Sequence, residues 1–160
     1  MVITTGGISV GDYDLVYAAA EKLGADILFW KVQMKPGSAL MAAVLHGKCL
    51  LALSGNPASA AIGLHMVGMP FVKKLAGRTD VQNEPVQVYL KEGFRKASPQ
   101  RRFVRGRLVL KDGRAWFSQT GRQGNGVVSS LVGCDMFAEI PAGSPPVEAG
   151  ALLRAYPVGR

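Results

Sequence analysis

The sequence predicts an α/β domain followed by a small all-β domain, a barrel or a sandwich. Three observations carry this. Up to Leu75, short apolar and β-branched runs alternate with stretches of helical periodicity, the pattern of layered strands and helices around a partly parallel sheet. Past Gly77 the helical period disappears, and the turn-rich stretches Gly77-Arg78-Thr79-Asp80 and Asn83-Glu84-Pro85 mark a boundary. Beyond them lie five short strand-like runs, with Lys111-Asp112-Gly113-Arg114 as a two-residue hairpin turn. The expected division is 1–77, a linker 78–84, and 85–160.

In order, Met1–Thr4 ends a buried strand that feeds the glycine turn Thr5-Gly6-Gly7. Asp12 or Asp14 then caps a helix whose apolar stripe is Leu15, Val16, Ala19, Ala20 and Leu23, stopped by Gly24. Strands are expected over Asp26–Val32, Ala39–Leu45 and Cys49–Leu53, the last two joined by His46-Gly47-Lys48. Asn56-Pro57 starts a helix to about Leu75, because Asn accepts orphan N–H groups and Pro has its φ preset. Pro70 inside that helix should kink or divide it, since it removes one backbone bond. The later strands are Val86–Leu90, Phe103–Leu110, Ala115–Thr120, Met136–Ile140 and Leu152–Tyr156.

With 160 residues and 48% hydrophobic content the chain can bury a core. The net charge of +8, from 19 Lys and Arg against 11 Asp and Glu, favours acidic ligands. Much of the excess lies between Lys91 and Arg122, as a solvated basic face or a binding surface in equal measure. Cys49 and Cys134 have no CxxC partner and read as buried thiols of a cytoplasmic protein. Residues 49–72 carry no Asp, Glu, Lys or Arg, but Ser54, Gly55, Asn56, Pro57 and His65 break the run into a buried strand and a buried helix; no membrane span is expected. His46, in a turn, and His65, on an apolar helix face, read as structural.

The chemistry gathers at two glycine-containing mouths. Each of ITTGGISVGDYD (Ile3–Asp14) and LSGNPAS (Leu53–Ser59) follows an apolar run and opens a helical one, presenting backbone N–H groups to an anion. Either alone is equally well explained as a strand-to-helix turn or a helix cap. Lys31 and Lys35, four apart in WKVQMKPG, strengthen the anion reading, since ligands of open α/β sheets collect at the carboxyl ends of strands. Asp12 and Asp14 either cap a helix or supply carboxylate oxygen to Mg²⁺ shared with a phosphate, Asp14 being preferred.

ITTGGISVGDYD, FWKVQMKPG and SGNPAS, in this order and spacing, resemble the molybdopterin molybdenumtransferases, which include the E domain of gephyrin. The likeness continues through FVKKLAG and TGRQGNGVVSSL (Thr120–Leu131) and covers essentially the whole chain. It implies that Met1–Leu75 is the second half of a three-layer molybdopterin-binding α/β domain, and Glu84–Val158 the family's C-terminal β-barrel. The family takes adenylylated molybdopterin and molybdate, cleaves the adenylate with the help of Mg²⁺, and releases AMP and molybdenum cofactor.

By the resemblance, Thr5, Gly6, Gly7 and Ser9 contact the pterin phosphate region, and Asp14 is the catalytic or metal-associated acid. Lys31 and Lys35 hold molybdate or phosphate, and Gly55, Asn56, Pro57 and Ser59 form the facing wall. One of Arg101 or Arg102, and one of Ser129 or Ser130, closes over the oxyanion. The family's long N-terminal portion, with the first half of the α/β domain and most of its dimer interface, is expected to lie outside these residues. Ser54 stands where the family usually has proline, and Asn125 where a barrel-loop serine is common. A homodimer is expected of the full-length protein, with the pathway's adenylyltransferase as a further partner.

Two other functions compete. One keeps the related fold but assigns it the preceding adenylyl transfer, which WKVQMKPG and the barrel argue against. The other is a non-catalytic basic module that binds nucleic acid or a protein. Phe94, Phe103, Trp116 and Phe117 lie in strand-like runs where core packing is their expected use, so a base-stacking platform and a nucleic-acid partner are not expected.

Overall fold

The structure is a computed structural model that describes residues 1–9, 11, 14–124 and 126–159. The chain forms two compact units, Met1–Val81 and Gln82–Arg160. Asp12 and Asn125, both singled out in the sequence, lie outside the described residues.

The first unit is built on a four-stranded sheet: β1 (Val2–Thr5), β2 (Asp26–Trp30), β4 (Leu40–Leu45) and β5 (Lys48–Leu53), in the order β1-β5-β4-β2. A two-residue extended stretch, β3 (Met34–Lys35), interrupts the path from β2 to β4. β1 runs parallel to β5, while β4 is antiparallel to both β5 and β2. Consequently β1, β5 and β2 all point the same way, and Thr5, Leu53 and Trp30 end on one edge of the sheet.

Strand alternation divides this sheet into two apolar faces. Met41, Ala43 and Ala52 pack with Ile8 and Ala20, joined by Val16 and Tyr17 of α1 (Val16–Lys22). Leu40, Leu53 and Leu51 face the other way, toward a helical run made of α2 (Pro57–Gly63), a π-helical turn (Leu64–Gly68) and α3 (Met69–Leu75). Added Cβ atoms at Gly63 and Gly68 would stand 2.9 Å from Leu40 Cδ1 and 2.9 Å from Leu51 Cδ2, so these glycines let helix and sheet approach closely. The expected interruption at Pro70 takes the form of the π turn just before it, which re-registers the hydrogen bonds around the missing N–H.

α1 differs from the expected stripe: Leu15 and Leu23 are each 63% exposed, and Val16, Tyr17 and Ala20 face the sheet instead. The helix is only seven residues long and has no side-chain cap. Its start is set by Val16 N–H donating to Gly7 O at 2.9 Å, so the glycine loop itself fixes which residues turn inward.

The second unit is a closed five-stranded barrel of β6 (Val86–Leu90), β7 (Arg101–Lys111), β8 (Arg114–Gln119), β9 (Met136–Ile140) and β10 (Leu152–Pro157). The order β7-β8-β6-β10-β9 closes through β7 pairing β9, with β6 and β8 parallel and the other pairs antiparallel. Inside lie Val88, Leu90, Val104, Phe117, Met136, Ala138, Ile140 and Ala155. The β7–β8 turn uses Asp112 (φ 51°) and Gly113 (φ 70°), both in the left-handed region that a two-residue hairpin demands. Because Phe117 points inward, its neighbour Trp116 must point out: Val109, Trp116, Tyr89 and Leu152 are direct cross-strand partners and form one apolar row on the barrel's exterior. The expectation that Trp116 packs in the core is therefore corrected. Neither cysteine is fully buried either; both are free and half-buried, and burial pushes the Cys134 thiol pKa up.

Candidate functional site: an oxyanion mouth and a pinned barrel loop

In the first unit the two glycine-containing loops leave neighbouring parallel strands and touch. Gly6 (φ 88°) and Gly7 (φ 69°) adopt the left-handed conformation that follows Thr5, and Gly6 N–H donates to Leu53 O at 2.9 Å. A Cβ on Gly55 would stand 3.2 Å from Gly6 Cα, tighter than side chains normally tolerate. Thr5 and Ser9 are exposed at this edge, whereas Ile8 between them is buried and anchors the loop onto the sheet.

Asp14 lies at the far end of the same loop, and its Oδ2 accepts the Gly11 N–H at 2.6 Å. The carboxylate thus shapes the loop rather than capping α1 through its side chain. Among the described residues no group of three His, Cys, Asp or Glu side chains could hold a metal. Asp14 is thus the single described carboxylate of this loop, with Oδ2 engaged by the Gly11 N–H.

On the facing loop, Asn56 Oδ1 accepts from Ala58 N and Ser59 N at 3.1 and 3.2 Å, with Pro57 at the first helical position. Ser54 Oγ accepts Asn56 N–H at 3.3 Å, occupying the turn that precedes the cap. The Asn56 side chain is committed to the helix, and Ser59 is buried.

Lys31 and Lys35 are both exposed. Lys31 follows directly on β2 with φ 67°, and its Nζ lies 4.2 Å from the centroid of the Trp30 ring. Lys35 precedes Pro36 through a cis peptide, and Gly37 (φ 104°) then packs against the start of α2: a Cβ there would be 3.2 Å from Ser59 O and 2.9 Å from Met34 Cε. The structure thus gathers Thr5, Gly6, Gly7, Gly55 and Lys31 at one sheet edge, with the turn that carries Lys35 held against the first turn of α2. Exposed lysines and hydroxyls at a glycine-lined sheet edge suit a multiply charged oxyanion, while the Gly6, Ala58 and Ser59 N–H groups are already engaged within the fold.

In the barrel, the residues expected from sequence fall into separate roles. Arg101 pairs with Glu139 (Nε to Oε1, 3.1 Å), whose other oxygen accepts from Tyr156 OH at 2.8 Å. Burial and this hydrogen bond push the Tyr156 pKa up. Arg102 lies over the Phe94 ring at 4.9 Å, and its buried Nε has no hydrogen-bond partner. Ser129 is exposed, whereas Ser130 is fully buried.

Sequence reasoning passed over Arg105, which organises the loop 120–131. It is 1% exposed; its Nε donates to Ser130 Oγ at 2.7 Å and its Nη2 to Gly124 O at 3.2 Å. The Gln123 amide pairs with both the N–H and the C=O of the Arg105 backbone, at 2.9 Å each. Thr120 Oγ1 donates to Ser130 O at 2.5 Å, and Ser130 Oγ to Val127 O at 2.5 Å. No carboxylate pairs with Arg105 among the described residues, and burial pushes its pKa down. It lies between Val104 and Gly106 in the middle of β7, and its cover comes from a loop distant in sequence.

Residues 1–74 match the family described as "Probable molybdopterin binding domain", and residues 87–158 the one described as "MoeA C-terminal region (domain IV)". A molybdopterin molybdenumtransferase of Staphylococcus aureus is 36% identical over 150 residues, covering 94% of this chain and 36% of the relative. One from Bacillus subtilis is 35% identical over 153 residues, covering 96% and 36%. The chain thus spans about 36% of the length of these curated relatives. Among solved structures, a molybdopterin biosynthesis MoeA protein from Pyrococcus horikosii has a TM-score of 0.78 at 22% identity, covering 100% of this chain and 37% of that one. A molybdenum cofactor biosynthesis protein from Pyrococcus furiosus has a TM-score of 0.66 at 18% identity, covering 98% and 67%. These two likenesses concern the fold.

Proposed function

We infer that this chain, which belongs to the MoeA-like family of molybdenum cofactor biosynthesis proteins, carries part of the site that inserts molybdate into adenylylated molybdopterin with release of AMP. The observation that supports it most directly is the contact of Gly6 with Gly55 on the sheet edge where Lys31 emerges. Molybdate and a phosphoanhydride are both multiply charged, and donors already fixed before reaction stabilise developing charge without reorganising.

In this reading Thr5, Gly7 and Ser9 donate to the phosphate of the pterin substrate, and Gly6, whose N–H is held by Leu53 O, shapes the turn that presents them. Lys31 and Lys35 hold the oxyanion, while Gly55, Asn56, Pro57 and Ser59 shape the opposite wall through their backbone. Within the barrel itself, Ser129 is the exposed hydroxyl of its pair, and Arg101 is engaged by Glu139. Asp14 would hold Mg²⁺, which when bound polarises the anhydride. A homodimer of the full-length protein and a cytoplasmic setting belong to the same reading; no helix among the described residues is long and apolar enough to cross a membrane.

Molybdate, or AMP with Mg²⁺, is expected to raise the melting temperature of the chain. At ten times Kd the stabilisation is about 1.4 kcal/mol, or roughly 6–11 °C for a unit of about 80 residues. Lys35→Ala should remove the shift. A wild-type chain whose melting ignores every anion tested would speak against the site.

The exterior barrel row supports a second reading, a surface for single-stranded nucleic acid. Trp116 and Tyr89 have ring centroids 5.5 Å apart, with the Arg114 guanidinium 5.4 Å from the Tyr89 ring, and Arg107 and Lys111 on the same face of β7. Aromatic faces beside cations suit stacked bases. A mobility shift with oligo(dT) that fades between about 50 and 200 mM salt would support it; no shift at the lower salt removes it.

A further inference from the structure

Trp30 makes three contacts at the end of β2. Its indole Nε1–H donates to Ile8 O at 3.3 Å, its ring lies against Tyr17 of α1 with centroids 4.4 Å apart, and the Lys31 ammonium sits 4.2 Å from the ring centroid. The first contact reaches the glycine loop, because Ile8 follows Gly7 directly and is itself locked in the core.

The geometry of the third contact is unusual. Along a regular strand, successive side chains point to opposite faces, so Lys31 should leave the sheet away from Trp30. The left-handed backbone at Lys31 (φ 67°) breaks that alternation and brings the ammonium back over the preceding indole. That conformation is uncommon for a residue with a side chain, and lysine gains nothing from it locally. The surroundings maintain it: Lys31 N–H donates to Leu40 O at 2.8 Å, and Val32 N–H to Ser38 O at 3.0 Å. Trp30 is still 38% exposed, so its ring is not merely filling the core.

We propose that Trp30 is a positioning residue, holding the Lys31 ammonium at a fixed place relative to the glycine loop so that both meet one oxyanion. This rests on the reading of Lys31 as an anion ligand. A lysine side chain otherwise sweeps its charge through several rotamers, and freezing it only on binding weakens affinity. Trp30 does the freezing beforehand through its ring face, and its N–H sets the distance to the loop.

The test is a double-mutant cycle on the full chain, titrated calorimetrically with sodium molybdate. Trp30→Leu should weaken binding by about threefold to tenfold, the range expected for losing a cation–π contact and the order it imposes. In a Lys31→Met background the same change should cost clearly less, because the part of the effect carried by the ammonium is already gone and only the N–H link to the loop remains to be lost. An equal loss in both backgrounds, or unchanged affinity in Trp30→Leu, overturns the proposal. Trp30→Phe, which keeps a ring and loses the N–H, should fall between and serves if the leucine variant does not fold. If the wild-type chain binds no molybdate, the oxyanion reading itself fails. The positioning is then decided by NMR: an upfield ring-current shift of the Lys31 ε-protons, lost in Trp30→Leu, together with a slowly exchanging Trp30 indole N–H, supports it. Random-coil shifts for those protons overturn it.

Discussion

Gly106→Ala is expected to lower the stability of the barrel unit by about 3 kcal/mol, near the upper end of ordinary overpacking. The added Cβ would stand 2.2 Å from Phe117 Cζ, 2.4 Å from Phe117 Cε2 and 2.6 Å from Ser118 O. Gly106 does not have a positive φ, so the demand is purely for space. Phe117 cannot move aside, being fully buried among Val88, Leu90, Val104 and Ile140, and Ser118 O belongs to the strand backbone paired with β7. For a unit of about 80 residues this corresponds to a drop in melting temperature of roughly 10–20 °C. Gly106→Ala with Phe117→Leu should recover part of it. A single variant that melts within a degree or two of wild type would mean that β7 and β8 are spaced differently.

Removing Arg105 should release the loop it holds. Arg105→Ala takes away two charge-assisted donors, one of them to the buried Ser130 Oγ and the other to the exposed Gly124 O, and leaves a cavity in the barrel wall, at a cost of about 2–3 kcal/mol. Arg105→Met fills more of the space and removes a cation that burial already disfavours, so its global cost should be smaller. The loop separates the two effects: amide hydrogen exchange across 120–131 should accelerate in both variants. Arg105→Lys should not restore protection, since a point ammonium cannot make both donations of a planar guanidinium. Unchanged exchange in that loop would show that Gln123 and Thr120 hold it without the guanidinium.

What could be read from the sequence was whatever is decided within a few residues. Asn56-Pro57, Asp112-Gly113 and Thr5-Gly6-Gly7 each specify their own backbone, and each lies where its local chemistry placed it. The exterior position of Trp116 was also within reach, because an inward Phe117 dictates it. Arg105 was not, because a buried cation needs a loop about 20 residues further on to fold over it, and nothing in RRFVRG announces that cover. The exposure of Leu15 and Leu23 has a similar origin: Gly7, not a capping side chain, sets the phase of α1. The left-handed turn at Lys31 has no local signature at all, since tertiary hydrogen bonds impose it on a residue that would not choose it.

The two units also differ in how they end their sheets. In the barrel every strand has a neighbour on both sides, so no row of backbone donors and acceptors is left open. Among the described residues the four-stranded sheet ends at β1 on one side and β2 on the other, where Val2, Ile3 and Leu28 are exposed. A ladder that closes on itself has no terminal strand from which to fray, so the barrel's strand amides should be the slower to exchange.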